Sequence, residues 1–196
     1  MSQELFPAFL KLRGRPVVVV GGGPVAASKL EALLSAGARI TIVAPEIAGE
    51  IASRPVRLER RPFRASDLDE AWFVVAAAPP AVNREVAAAA EARRLFVNAV
   101  DDPAHASAYL GGVVRKDGVT LAVSTDGRAP AIAGLIREGL ERLLPADLDR
   151  WLETADALKA EWRSRGVPME QRRPALLTAI NRLYDERAAA GAGAER

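Results

Sequence analysis

The residues that most constrain this chain are Gly21-Gly22-Gly23-Pro24-Val25-Ala26, set directly after the β-branched run Val17–Val20 and directly before a helical pattern. They fit Gly-x-Gly-x-x-Ala. In that arrangement the first glycine allows a tight turn and the second lets the backbone approach a pyrophosphate. The small residue lets helix and strand pack closely. The helix start that follows offers free N–H groups and the positive end of a dipole to an anion. A dinucleotide site is expected on this loop, with a purely structural glycine turn as the competing reading.

The flanking pattern supplies the context such a loop needs. Val17–Val20 reads as a buried parallel strand and Val25–Ala36 as a helix, with Leu30, Leu33 and Leu34 at helical spacing and Gly37 as its stop. Ile40–Val43 is a second buried strand, Val56–Arg60 a third and more exposed one, Trp72–Ala76 a fourth and Leu95–Val97 a fifth. A helix over Val82–Arg94 lies between the last two. Strands alternating with helices at these lengths predict βαβ units. The expected fold class is therefore α/β, a Rossmann-type doubly wound parallel sheet over residues 1–112.

The pattern changes after Asp101-Asp102-Pro103. Ser107–Val114 and Val119–Ser124 read as two strands joined by Arg115-Lys116-Asp117-Gly118, where Asp-Gly is a strong hairpin signal. Pro130 opens an amphipathic helix carrying Ile132, Leu135, Ile136, Leu140 and Leu143 on one face, and Pro145 closes it. A two-stranded hairpin is marginal alone. Residues 113–145 are therefore expected to be a hairpin-helix dimerisation unit that meets a second copy. Residues 146–196 are expected to form a small helical domain with a frayed tail over Ala188–Arg196.

Composition narrows the function. The chain has 196 residues, no cysteine and a single histidine, His105. That excludes disulfides, thiolate metal sites, a cysteine nucleophile and a multi-histidine metal centre, and no metal site is expected. The pI of 9.3 looks basic, but the formal net charge is only +2. With few groups titrating near neutrality, a small excess of arginine moves the pI far, so nucleic acid is not an expected partner. No apolar run approaches the roughly 20 residues of a membrane span, and the N-terminus lacks a basic stretch followed by an apolar core. A cytoplasmic protein is expected.

An NAD site of this type has an acidic residue about 20 residues past the loop, at the end of the second strand. Here Ile40–Val43 runs into Ala44-Pro45, with Glu46 slightly late and no arginine following to favour a 2′-phosphate. The reading leans to NAD, and Glu46 is equally readable as a solvated loop carboxylate.

Further segments match one family in order. They are Leu12-Arg13-Gly14-Arg15, the glycine loop with Lys29, Val43-Ala44-Pro45, Asn98-Ala99-Val100-Asp101-Asp102, and Leu121–Thr125 followed by Ala129-Pro130-Ala131. Over roughly residues 5–165 the chain resembles precorrin-2 dehydrogenase, the N-terminal portion of siroheme synthase, which also exists as a stand-alone protein. The chain has no segment for the methyltransferase fused in some relatives, so the stand-alone form is expected. The resemblance implies an intertwined homodimer that oxidises precorrin-2, a tetrapyrrole, to sirohydrochlorin with NAD. Some members also insert ferrous iron, and the sequence leaves that second activity open here. The resemblance implies that Asp101 is the key residue for the chemistry and that Thr125 lies near the tetrapyrrole. It also implies that Pro24, Val25, Pro45 and Glu46 touch NAD. Three departures stand out. Tyr109-Leu110-Gly111-Gly112 replaces an aromatic-x-x-Pro segment, and Asp126 stands where glycine is frequent. Ala76-Ala77-Ala78-Pro79 replaces an Ala-Ala-Thr turn, which removes a hydroxyl from the cofactor rim at Ala78.

The residues themselves carry weaker signals beside this. Asp101 follows the fifth strand, where ligands bind in such sheets, and a carboxylate there can accept a proton. Its plain reading is a turn former before Pro103, with Asp102 as a cap. Ser124 and Thr125 read first as caps of the helix opening at Pro130. That helix start and Arg13, Arg15, Arg115, Lys116 and Arg128 could serve substrate carboxylates, although each basic residue alone reads as a solvated charge. His105 reads as a surface residue. Two rival functions remain: a non-catalytic NAD-binding redox sensor, and an oxidoreductase of another small substrate.

Overall fold

The computed structural model describes residues 4–193, with side chains described through Tyr184. Five strands form one parallel sheet: β1 (Pro16–Val20), β2 (Arg39–Val43), β3 (Arg57–Glu59), β4 (Phe73–Ala76) and β5 (Val97–Ala99). Their spatial order is β3-β2-β1-β4-β5. Helices α1 (Pro24–Ser35), α2 (Gly49–Ala52) and α3 (Pro80–Glu91) and a short 3-10 turn (Ala65–Leu68) connect them. The inner strands β1, β2 and β4 are dominated by valine and isoleucine because both their faces are covered, whereas the edge strand β3, Arg57-Leu58-Glu59, is partly exposed. Val18, Val20, Val43, Val74 and Val97 point to one side, against Leu68, Val86 and Ala90. Val17, Val19, Ile42 and Val75 point to the other, against Ala26, Leu30, Leu33 and Ile51. Each fully buried valine contributes about 1.5–3 kcal/mol relative to exposure. The strand order reverses between β1 and β4, which opens a crevice at their C-terminal ends.

The structure moves several boundaries. The fifth strand starts at Val97 rather than Leu95, because α3 ends at Glu91 and Arg94 turns the chain with φ 57°. Leu95 is consumed packing on the core. Trp72 precedes β4 and lies exposed beneath the Arg15 guanidinium, 3.7 Å from the ring centroid. The sixth strand, β6, is Gly112–Lys116, not Ser107–Val114. Ser107 and Ala108 bond back to the parallel sheet instead, with both N–H groups donating to the Val97 carbonyl at 2.9 and 3.0 Å. Alternation of apolar residues could not say which neighbour that stretch would choose.

β6 pairs antiparallel with β7 (Val119–Val123) through a two-residue turn, with Asp117 at φ 48° and Gly118 at φ 84°. Positive φ at both positions is the turn geometry that Asp-Gly favours. Then come α4 (Pro130–Leu143), α5 (Leu148–Arg165) and α6 (Met169–Gly193). α6 continues as helix through Ala188–Gly193, where the sequence predicts fraying, and Ala194–Arg196 lie outside the described residues.

The chain divides into two compact units. One runs through Gly111 and includes Ser124–Pro130; the other is Gly112–Val123 with the chain from Ala131 on. In the second unit the hairpin packs on α4, and a Cβ at Gly112 would come 3.1 Å from the Ala133 carbonyl. Lys116 donates to the Leu144 carbonyl at 3.3 Å, and the Trp151 and Tyr184 rings meet edge to face. Among the described residues no helix is long and apolar enough to cross a membrane.

Candidate dinucleotide site and the Asp101 loop

A cavity of about 890 Å³ lies in the crevice, walled by the glycine loop, Val43–Ala48, Pro62-Phe63, Ala77–Pro79, Val82 and Glu85. The three glycines are there for different reasons. At Gly21, φ is 127° and a Cβ would fall on the Ala77 carbonyl. At Gly22 a Cβ would fall on the Glu46 carbonyl. These two are required by the protein's own backbone. At Gly23 an added Cβ would meet nothing within 4 Å, so no protein atom demands glycine there and the open space is what a ligand would fill. Gly23 is also the N-cap of α1, which has no side-chain cap and no acidic residue in its first turn. Its first N–H groups are thus left for an anion. The cradle fits a dinucleotide.

The walls are held by short polar contacts. The Gly21 N–H donates to the Val43 carbonyl at 3.0 Å, and the Ala48 N–H donates to the Gly22 carbonyl at 2.9 Å. The turn after β4 is fixed by buried Asn83, whose Oδ1 accepts from the Ala78 N–H at 2.9 Å. The sequence reading missed Asn83; its signal was an amide on the apolar face of a helix. Pro62 and Phe63 are held by a fork between Arg61 and Asp67, with N–O distances of 2.9 and 2.6 Å. Asp67 also accepts from the Arg64 N–H at 2.9 Å.

Burial alone would raise the Asp67 carboxyl, but the Arg61 guanidinium and the Arg64 N–H outweigh it and hold it below its ordinary value. A depressed carboxyl adds stability above its unfolded pKa, about 3.9, and loses it as pH falls through the folded value. Melting temperature should therefore drop below about pH 4, and Asp67→Asn should melt lower at neutral pH with a shallower acid decline. Superimposable acid limbs for the two proteins would remove Asp67 from that account.

At the end of β5 the Val100 N–H donates to the Ala76 carbonyl at 2.9 Å, which carries the sheet one residue further. Asp101 follows in the left-handed region with φ 57°. It is exposed, and its carboxylate makes no hydrogen bond or ion pair among the described residues. Asp102 differs: its carboxylate takes Nδ1 of His105 at 2.8 Å, and its carbonyl accepts the His105 N–H. Asp102 is thus a clasp across a turn, not the cap of a helix. His105 stands at the surface as its partner. The base of this loop is pinned by buried Asn98, whose Nδ2 donates to the Ala108 carbonyl at 2.9 Å, and by the Ser107 Oγ, which accepts from the Val97 N–H.

The loop Ser124–Pro130 belongs to the same unit and lies against the Asp101 loop. A Cβ at Gly127 would come 3.1 Å from the Tyr109 ring and 3.6 Å from Pro103, and the Tyr109 hydroxyl donates to the Pro103 carbonyl. The Ser124 Oγ accepts from the Asp126 N–H, and the Thr125 Oγ1 accepts from the Ala129 N–H. Ala129 precedes α4, so these hydroxyls close the loop on itself rather than cap the helix, as the sequence suggests. Asp126 takes φ 55°, which explains why glycine suits that position and why aspartate, tolerant of the left-handed region, can replace it.

Gly21, Gly22, Gly23, Pro45, Glu46 and Ala78 thus line the cavity, and Ala78 stands at the rim without a hydroxyl. Pro24 and Val25 are exposed on the first turn of α1, outside the lining, and Ala76 is fully buried in β4 beneath it. Asp101, Ser124, Thr125 and Arg128 lie outside the cavity, on the two loops that meet at Tyr109. Among the described residues no group of three or more carboxylate or histidine side chains is placed to hold a metal ion.

Five parallel strands with a glycine turn at the reversal of strand order define a dinucleotide-binding protein of Rossmann type. A family model described as putative NAD(P)-binding matches residues 8–112, and the chain belongs to that family. Beyond that unit it is similar to siroheme synthases. That of Photorhabdus laumondii is 37% identical over 175 residues, covering 87% of this chain and 37% of the relative. One from Escherichia coli is 38% identical over 172 residues, covering 85% and 38%. The chain therefore spans little more than a third of the length of these relatives. Among solved structures it is similar to SirC, a precorrin-2 dehydrogenase, with a TM-score of 0.68 and 26% identity over 90% of this chain and 89% of that one. These likenesses bear out the family resemblance read from Asn98–Asp102 and from Ser124–Ala131.

Proposed function

We propose that the chain is an NAD-dependent dehydrogenase that oxidises precorrin-2 to sirohydrochlorin in siroheme biosynthesis. The observation that carries this reading is Asp101, an unengaged carboxylate held in the left-handed region just past β5, one strand from the crevice. A redox sensor needs no such group. Bound in the crevice, NAD would supply the hydride acceptor. The backbone of Gly21–Gly23 and the start of α1 would hold its pyrophosphate, and Glu46 the ribose hydroxyls. Asp101 takes the proton that leaves the macrocycle with the hydride. Thr125 and Arg128, on the neighbouring loop, bind the acidic side chains of the tetrapyrrole; the Arg128 fork suits a carboxylate. Ferrous iron is a second substrate in this proposal, its entry releasing two ring protons, one to the same carboxylate and the other to solvent. The setting is cytoplasmic.

The purified chain with precorrin-2 should produce sirohydrochlorin absorbance together with NADH, only when NAD is present. Ferrous ion added afterwards should convert that spectrum to siroheme. Tight NAD binding without turnover would favour the sensor.

A homodimer belongs to the same proposal. Ile132, Leu135, Ile136 and Leu143 of α4 are all exposed, between 45% and 78%, at helical spacing. An apolar stripe of that kind marks an association surface. Light scattering should give about twice 20.9 kDa, and Leu135→Asp should shift the mass towards one chain, since a charge in an apolar contact is costly. A wild-type monomer at micromolar concentration would contradict the proposed assembly.

A further inference from the structure

The cavity holds a carboxylate that the proposed reaction does not use. Glu85, on α3, lines it together with Glu46. Among the described residues these are the only charged ones in the lining, which includes no lysine, arginine or histidine. Both are exposed, and neither carboxylate makes a hydrogen bond or ion pair among the described residues. Arg61 and Arg64 flank the Pro62-Phe63 wall in sequence, yet neither is in the lining, and the Arg61 guanidinium is held by Asp67 and Glu59. In a chain this rich in arginine, a cavity charged only with carboxylates is informative about its ligand.

We infer that Glu85 is a specificity-determining residue of this site: with Glu46 it sets up a two-carboxylate field that admits the free ribose hydroxyls of NAD and turns away the 2′-phosphate of NADP. The inference rests on the cavity being the dinucleotide site. A single acidic residue at the end of the second strand often suffices for this choice. Here Glu46 comes late, after Pro45, and its side chain is free in solvent. A second carboxylate from the opposite side of the crossover strengthens the negative field. A phosphate monoester carries close to two negative charges at neutral pH, and like charges several ångströms apart in a partly wet site repel by an amount worth a few-fold in affinity each. Nothing in the sequence singles Glu85 out, because on a surface helix it reads as one more solvated charge.

The test is direct binding by isothermal titration calorimetry with NAD and with NADP, on the dimeric full chain. The variants are Glu85→Gln, Glu46→Gln and the double variant, with Glu91→Gln on the same helix as a control for net charge. Glutamine keeps the size and the hydrogen-bonding capacity and removes the charge. Wild type should prefer NAD. In Glu85→Gln the NAD-to-NADP affinity ratio should fall roughly three- to ten-fold, mostly through tighter NADP binding. The double variant should narrow the ratio further, and Glu91→Gln should leave it unchanged. Raising salt should tighten NADP binding in wild type more than in the double variant, because screening acts on the repulsion.

An unchanged ratio in Glu85→Gln, with wild type binding NAD, would overturn the inference and leave the dinucleotide site standing. Equal losses for both ligands would also overturn it, making Glu85 a contact to the shared part of the molecule. Binding of neither ligand by folded wild type would overturn the dinucleotide site itself and the inference with it.

Discussion

Asp101→Asn is expected to lower dehydrogenase turnover at least roughly 10²-fold, within the 10²–10⁴-fold that a positioned acid or base contributes. NAD affinity, dimer mass and melting temperature should stay where they are in the parent. The choice of asparagine follows from the backbone. At φ 57° most side chains are strained by about 1–2 kcal/mol, while asparagine tolerates this region much as aspartate does. The substitution therefore removes the proton acceptor and leaves the turn. Alanine at the same place would confuse lost chemistry with backbone strain. Iron insertion, where present, should fall in parallel. Turnover equal to wild type in Asp101→Asn would reduce this residue to a turn former before Pro103. Asp102→Asn offers the contrast: Asp102 is engaged with His105, so its loss should be felt in the local turn and much less in the chemical step.

The second large effect separates two glycines that stand side by side. In Gly23→Val the new side chain meets no protein atom within 4 Å, and the backbone there has an ordinary negative φ of −94°. The fold should persist, and NAD affinity should fall about ten-fold or more, which is about 1.4 kcal/mol of binding. In Gly22→Ala the Cβ would lie on the Glu46 carbonyl and 2.9 Å from the Ile47 Cα. Backbone must move, and the protein should lose about 1–3 kcal/mol of stability. Thermal melts and NAD titrations on both proteins check the pair. A folded Gly23→Val protein that binds NAD as well as wild type would move the cofactor elsewhere. A Gly22→Ala protein as stable as wild type would contradict the packing of the two loops.

Much of this molecule was legible in the chain itself. Val17–Val20 and Phe73–Ala76 are unbroken apolar runs and Ile40–Val43 is broken only by Thr41, and a run buried on both faces needs a parallel sheet between helices. The glycine loop between strand and helix located the crevice, because its spacing reflects local turn geometry that needs no distant partner. Asp117-Gly118 placed the hairpin turn for the same reason. Tertiary structure decided what depends on residues far apart in sequence. It tied Ser107 and Ala108 to Val97 instead of to the hairpin, because the unpaired edge of β5 offered backbone partners that no local pattern reveals. It divided the adjacent aspartates, Asp102 to His105 and Asp101 to solvent, through a left-handed turn pinned by Asn98. It gave Gly22 and Gly23 opposite reasons to be glycine, since one faces the Glu46 carbonyl and the other faces open space. It also brought Glu85 into the cavity beside Glu46: a helix face is written in the sequence, but which cavity that face borders is set only when the sheet and its crossovers have packed.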